Sequence, residues 1–315
     1  MTTSGTSVFN PNRNAIIRQA ALLVTAIGAG VPMGAQMLQD FDFVLNAMVK
    51  SWQAKGLHIW TTTEATLFPA VGQVRYGAGT GATDHITQTY YETAITTDEA
   101  AGQTVLSVDD TTNMTALDNI GIVLDDGTLF WTTIVSKTST TVTITDALTD
   151  DAAQINAVFN YTSKIVRPLK VVDARRYDID AASDTPLSIV SRQEYQNLPM
   201  KTEAGLPIEL FYDAQLVIGY FYLWQVPDAT TDLVKFTWHR PIQDFNAAGD
   251  TADLPQEWVL CLVYNLAQLV MPQYPVSPKN VALINNMAPQ LLMDLTGFDR
   301  ENESIFISPD MDGQE

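Results

Sequence analysis

A chain of 315 residues with 46% hydrophobic side chains has apolar material for two or three packed domains, which excludes wholesale disorder. Its formal net charge of −19 argues against gripping nucleic acid, which takes clustered Lys and Arg to neutralise phosphates. One cysteine, Cys261, excludes an internal disulfide framework and any cysteine-rich zinc site.

The opening MTTSGTSVFN is polar and uncharged, so no signal peptide is expected and residues 1–10 read as a mobile end. Asn10-Pro11 suits a helix start, and Ile16, Ile17, Ala20, Leu23, Val24 and Ile27 then share one helical face, with Gly28 or Gly30 as the stop. The apolar run 20–31 is too short to span a bilayer. A second helix is predicted from about Gly34, with Met37, Leu38, Phe41, Val44, Leu45, Met48, Val49 and Trp52 at helical spacing and Gly56 as its C-terminal cap. The two make an αα-hairpin.

After Gly56 the period changes. LHIWTTTEATLF and GQVRYGAG are rich in Thr, aromatic and β-branched residues and read as strands. GAGTGATD at 77–84 reads as a loop; it lacks the Gly-x-x-x-x-Gly-Lys-Ser/Thr spacing of a phosphate cradle. Residues 102–162 read as short strands separated by turn residues, with Asp125-Asp126-Gly127 as a hairpin signal. This is where the charge concentrates: residues 84–163 carry 12 acidic groups and 1 basic. Asp109, Asp110, Asp118, Asp125 and Asp126 lack the alternation of a calcium loop and read as turn and surface aspartates.

From Lys164 the strands resume: IVRPLKVVDARRYDID, PLSIV, PIELFYD, GYFYLWQVP and DLVKFTWHRP, with a capping box at Ser191-Arg-Gln-Glu194 opening a short helix. Tyr220, Tyr222, Trp224, Phe236 and Trp238 suit sheet-core packing better than a sugar platform. FNAAGDTAD at 245–253 is a linker.

The most strongly patterned stretch comes next, Asp253 to Met271. Trp258, Val259, Leu262, Val263, Leu266, Leu269 and Val270 recur at helical spacing, with Asp253 as cap, Pro255 in the first turn and Pro272 as stop. A final helix over 277–296 carries Val281, Ile284, Met287, Ala288, Leu291, Leu292 and Leu295, and Pro289 should kink or split it. The acidic tail 298–315 holds Ile305, Phe306 and Ile307.

The fold class expected from these elements is α+β. N- and C-terminal helices form one helical bundle, with a long all-β insertion made of a β-sandwich and a small β-barrel-like module. The divisions are 1–57 and 251–297 for the bundle, 58–84 with 164–250 for the β-rich domain, 85–163 for the acidic module, and 298–315 for an extended arm. Trp52, Trp258, Leu262, Leu266, Leu269 and Leu291 are assigned to the bundle core.

No catalytic pattern stands out. The histidines are His58, His85 and His239, without a second His or a Cys at metal-ligand spacing, and there is no His-Glu-x-x-His or Gly-x-Ser-x-Gly. Carboxylates are plentiful but sit mostly beside turn residues, and nothing singles out one pair. No cofactor and no metal are expected.

Three stretches carry a resemblance. Val49-Lys-Ser-Trp52-Gln-Ala-Lys-Gly56-Leu-His-Ile-Trp60 follows the first two helices; Asp253-Leu-Pro-Gln-Glu-Trp258 precedes Tyr264-Asn-Leu-Ala267 and Tyr274-Pro275; Leu187 to Tyr195 leads to Leu198-Pro199, Lys201 and Gly205-Leu-Pro207. The first two resemble head-to-tail adaptor proteins of short-tailed bacteriophages, also called tail accessory or head-completion proteins, and the third is similar to the β region of larger phage virion proteins of this kind. The large β region departs from the smallest adaptors. The resemblance implies a dodecameric ring of the chain below the portal protein, at the head–tail junction of a virion assembled in the bacterial cytoplasm. It also implies an arm reaching the portal (here Ile305, Phe306 and Ile307), tail, nozzle or tail-fibre proteins attached to the ring, and genomic DNA passing through the lumen without specific binding. An acidic wall suits such passage, because carboxylate–phosphate repulsion fades over a Debye length of about 8 Å.

Two rivals stand beside this connector. One is a receptor- or sugar-binding module of a tail fibre or baseplate, which a trimeric stalk signature would favour. The other is a tail-associated glycan hydrolase working through carboxylates of the β region.

Overall fold

The computed structural model describes residues 8–54, 59–230 and 232–298. Asn12 is extended and its Oδ1 accepts the Ala15 N–H at 2.9 Å, which opens helix α1 (Arg13–Leu23) two residues later than Asn10-Pro11 suggests. The chain leaves α1 through Val24 and Thr25, the latter at a positive φ of 56°, before either expected glycine. Helix α2 (Ala35–Ala54) buries Phe41, Leu45, Met48, Val49 and Trp52, one stripe at three- and four-residue spacing. Gly56 lies outside the described residues.

Strands β1 (Thr62–Leu67), β2 (Arg75–Gly79) and β3 (Ile86–Thr87) follow. β2 takes the first glycines of the expected 77–84 loop into a sheet. Next come β4 (Tyr91–Ala94), β5 (Val105–Ser107), β6 (Asn119–Val123), β7 (Leu129–Lys137), β8 (Thr141–Ile144) and β9 (Ala157–Tyr161). They form a six-stranded antiparallel sheet in the order β4-β9-β6-β7-β8-β5. The turn joining β6 to β7 holds Gly127 at a φ of 81°, the positive value that the Asp-Asp-Gly signal anticipates. Ile120, Ile122, Ile134, Val142 and Val158 fill the core of this sheet.

Then come β10 (Lys170–Asp178), β11 (Ser183–Ile189), helix α3 (Arg192–Asn197), β12 (Glu209–Asp213), β13 (Ile218–Trp224) and β14 (Asp232–His239). With β1, β2 and β3 these strands make an eight-stranded sheet, β2-β13-β12-β11-β10-β14-β1-β3. Its pairs are antiparallel except β11 with β12, where α3 intervenes in the chain. Alternate residues of β13 and β14 turn inward: Phe221 and Leu223, then Val234, Phe236 and Trp238. Side chains from both sheets meet in a separate aromatic cluster of Phe68, Phe159, Tyr161 and Leu233. Phe68 is central to it, with ring centroids 5.2 Å from Phe159 and 5.1 Å from Trp131. Gly121 is required here, because a Cβ at that position would come within 2.8 Å of the Trp131 ring.

The chain returns to helix later than its pattern indicates. Asp253 does not cap a helix; its Oδ2 accepts the Gln243 N–H at 3.0 Å. A 3₁₀ turn over Gln256–Trp258 comes first, then α4 (Val259–Val270), a second 3₁₀ turn through Pro272, and α5 (Pro278–Phe298). Pro289 lies inside α5, which is assigned as one continuous helix rather than two. α4 packs against α1, α2 and α5. Ile16, Ile17, Phe41, Leu45, Trp52, Trp258, Leu262 and Leu266 belong to their common core. Leu291 is partly buried against it. Leu269 is not in it: it is 51% exposed. It shares an angular stripe with the buried Leu262 and Asn265, so angle around α4 does not by itself decide burial.

The expected fold class needs correction. The chain is mainly β, with two large sheets of eight and six strands and five helices among the described residues, not a bundle of N- and C-terminal helices carrying a sandwich and a barrel-like module as an insertion. The larger of two compact units is the strand-built one, Thr61–Pro241; the other comprises Met1–Trp60 and Ile242–Glu315. Helical periodicity overstated the helices, because an amphipathic pattern reports a face without reporting how much of it is covered. Among the α5 residues whose burial is described, only Ile284 and Ala288 are fully buried.

Candidate functional site

Two of the stretches that carry the resemblance come together in the helical unit. Trp52, at the end of α2, lies with its ring centroid 5.7 Å from that of Trp258, and the Trp60 ring lies 5.1 Å from that of Trp258. Both contacts are tilted by 56°, within the range in which ring edges meet ring faces favourably. The Trp60 Nε1 is buried without a hydrogen-bond partner, so this ring is held by contact alone. The segment after the strands is tied down around the same place. Asn46 Oδ1 accepts the Phe245 N–H at 2.9 Å, and Lys50 Nζ donates to the Ile242 carbonyl at 2.6 Å.

The third stretch forms a small, well-braced platform in the strand unit. Ser191 accepts from the Glu194 N–H while the Glu194 carboxylate accepts from the Ser191 N–H at 2.6 Å, completing the expected capping box. These bonds hold the Glu194 carboxyl below its usual range. Tyr195 points inward, its ring stacked 5.4 Å from that of Phe211 and tilted against that of Tyr222 at 5.3 Å. Cations cover the rings: Lys201 lies over Tyr195, and Arg192, paired with Asp213, lies over Phe211.

No family model matches the chain. No curated protein matches it at a significant level either.

Elsewhere the ionisable groups are mostly engaged with backbone. Asp110 accepts from the Thr112 N–H at 2.8 Å, and Asp126 accepts from the Thr128 N–H at 2.8 Å and its hydroxyl at 2.7 Å; both carboxyls are held low by these bonds. Asp118 accepts from Thr115, and Asp125 from Ala153 and Asn156. These are turn and brace aspartates, and among the described residues no three His, Cys, Asp or Glu side chains are grouped to hold a metal ion. Glu92 and Asp232 differ: burial raises both carboxyls. Glu92 also lines a 400 Å³ cavity with Asp180 and Thr230.

His239 shares a hydrogen bond of 3.0 Å with Thr62, and His58 lies outside the described residues. His85, which the sequence shows only as a histidine without a metal-ligating partner, is a half-buried junction residue. Its ring stacks on Trp131 at 3.9 Å and 6°, its Nδ1 is 2.6 Å from the Tyr161 hydroxyl, and burial lowers its pKa to about 3. Only position in the fold reveals this, since its neighbours in sequence are unremarkable strand and turn residues. Ile305, Phe306 and Ile307 lie outside the described residues. No helix among the described residues is long and apolar enough to cross a membrane.

Proposed function

We propose that the chain is a structural, non-catalytic component of a phage particle: a head-to-tail adaptor that assembles as a ring below the portal, lines the DNA exit path and offers a platform to tail components. The observation that supports this reading is the meeting of Trp52, Trp60 and Trp258, which joins two sequence stretches carrying the resemblance into one aromatic contact. The acidic balance of 36 Asp and Glu against 17 Lys and Arg suits a wall past which DNA slides.

Electron microscopy and co-sedimentation of the purified protein with its portal test the proposal. Rings stacked on the portal are the expected result; a monomer that never co-sediments with the portal would overturn it. The hydrolase alternative draws on Glu92 and makes a separate claim, the release of reducing ends from cell-wall glycan that disappears in Glu92→Gln. The connector reading expects no release from either protein.

A further inference from the structure

The helical unit contains an apolar groove of about 540 Å³ along α1 and the first turns of α4. Phe9, Leu23, Val259, Leu260, Val263 and Tyr264 line it, and Gln19, Gln256 and Glu257 edge it. Phe9 is 65% exposed and Leu260 51%, so large apolar side chains here face water. A patch of this kind commonly marks an occupant.

The end of the described chain lies close by. Asn265 Nδ2 donates to the Ala288 carbonyl at 3.2 Å, and Gln268 Nε2 to Asn285 Oδ1 at 3.2 Å. These pairs run in opposite directions along the two helices, so α5 is antiparallel to α4. Continued along α5, the register brings Phe298 level with the residues just before α4, at the end of the groove that Gln256 and Glu257 edge. From there Asp299–Ile305 spans roughly 20 Å when extended at about 3.3 Å per residue. That exceeds the width of one helix, about 10 Å, which is the distance from the α5 side of α4 to its groove side.

The sequence beyond Phe298 offers one segment of matching chemistry. Between Glu303 and Asp310 it reads Ser-Ile-Phe-Ile-Ser-Pro, uncharged, with three large apolar residues in succession.

We infer that the segment Ser304–Ser308 seats in the groove between α1 and α4 of its own chain, with Phe306 against Leu260 and Val263, as an intramolecular latch. The inference does not rest on the adaptor reading. If that reading holds as well, the apolar trio is unavailable to a portal until the latch opens.

The test compares the intact chain, the intact chain carrying Phe306→Asp, and a chain ending at Phe298. Each is titrated with a fluorescent peptide of residues 299–315. The shortened chain and Phe306→Asp should bind the peptide saturably. The intact chain should bind it at least tenfold more weakly, because a tethered segment competes at about millimolar effective concentration. Leu260→Asp in the shortened chain should abolish binding with the helical circular dichroism unchanged. Equal binding to intact and shortened chains overturns the latch. So does absence of binding to Phe306→Asp, which keeps the proposal testable if the shortened chain fails to fold. Association of the intact chain that rises with concentration and is lost in Phe306→Asp also overturns it, by placing the segment on a second copy.

Discussion

Trp258 is 2% exposed and its ring touches those of Trp52 and Trp60. Removing its indole leaves a cavity whose lining, two other indoles, cannot collapse without losing its own contacts. Trp258→Ala should therefore destabilise the helical unit by about 3–5 kcal/mol, read from denaturant unfolding. Leu269 provides the contrast. It belongs to the same sequence stripe but faces water, so Leu269→Ala should change stability by less than about 0.5 kcal/mol. A large loss at Leu269 would mean that something covers it in solution. The sequence made both residues look alike because periodicity assigns an angle around the helix and says nothing about which neighbouring side chains cover it.

At the scale of elements, most strands and helices were legible, because each carried its own local chemistry. The Ser191–Glu194 box opens α3 as read, and the Asp-Asp-Gly turn joins β6 to β7. What was not legible was order in the sheets: β14 sits between β10 and β1, and β13 between β12 and β2, pairings that no local signal specifies. The resulting junction between sheets packs His85 against Trp131 and Tyr161, and it makes stability depend on pH. With its pKa lowered from 6.5 to about 3, the ring is neutral in the folded protein throughout the range in which an unfolded chain would protonate it. Its contribution is intact above about pH 6.5 and is lost as pH falls from there towards 3. His85→Phe keeps a ring on Trp131 and removes the titration. Between pH 6 and 4 the variant should lose stability less steeply than the parent, by up to about 1.4 kcal/mol per pH unit. Parallel pH profiles would show that the imidazole is more accessible than its packing implies.

For the whole molecule, the sequence overweighted its ends. The helices carry the clearest periodicity, but the strand unit holds three apolar clusters of its own and begins and ends on neighbouring strands, with Thr62 paired to His239. A fragment of residues 61–241 should accordingly fold by itself and unfold in a cooperative transition, detected by the near-ultraviolet signal of its aromatic cluster. A fragment lacking that signal would show that its core depends on the rest of the chain.

The lone thiol gives the other unit a clock. Cys261 is fully buried within α4, its Sγ accepts from Asn265 Nδ2 at 3.3 Å, and burial pushes its pKa to about 12. Because thiolate is the species that reacts, a disulfide-exchange reagent at neutral pH meets an inert group until α4 separates from its neighbours. At saturating reagent the modification rate becomes the opening rate itself, reported at one atom in the unaltered protein. Trp258→Ala should accelerate it, and the strand unit, which contains no cysteine, adds no background to the trace.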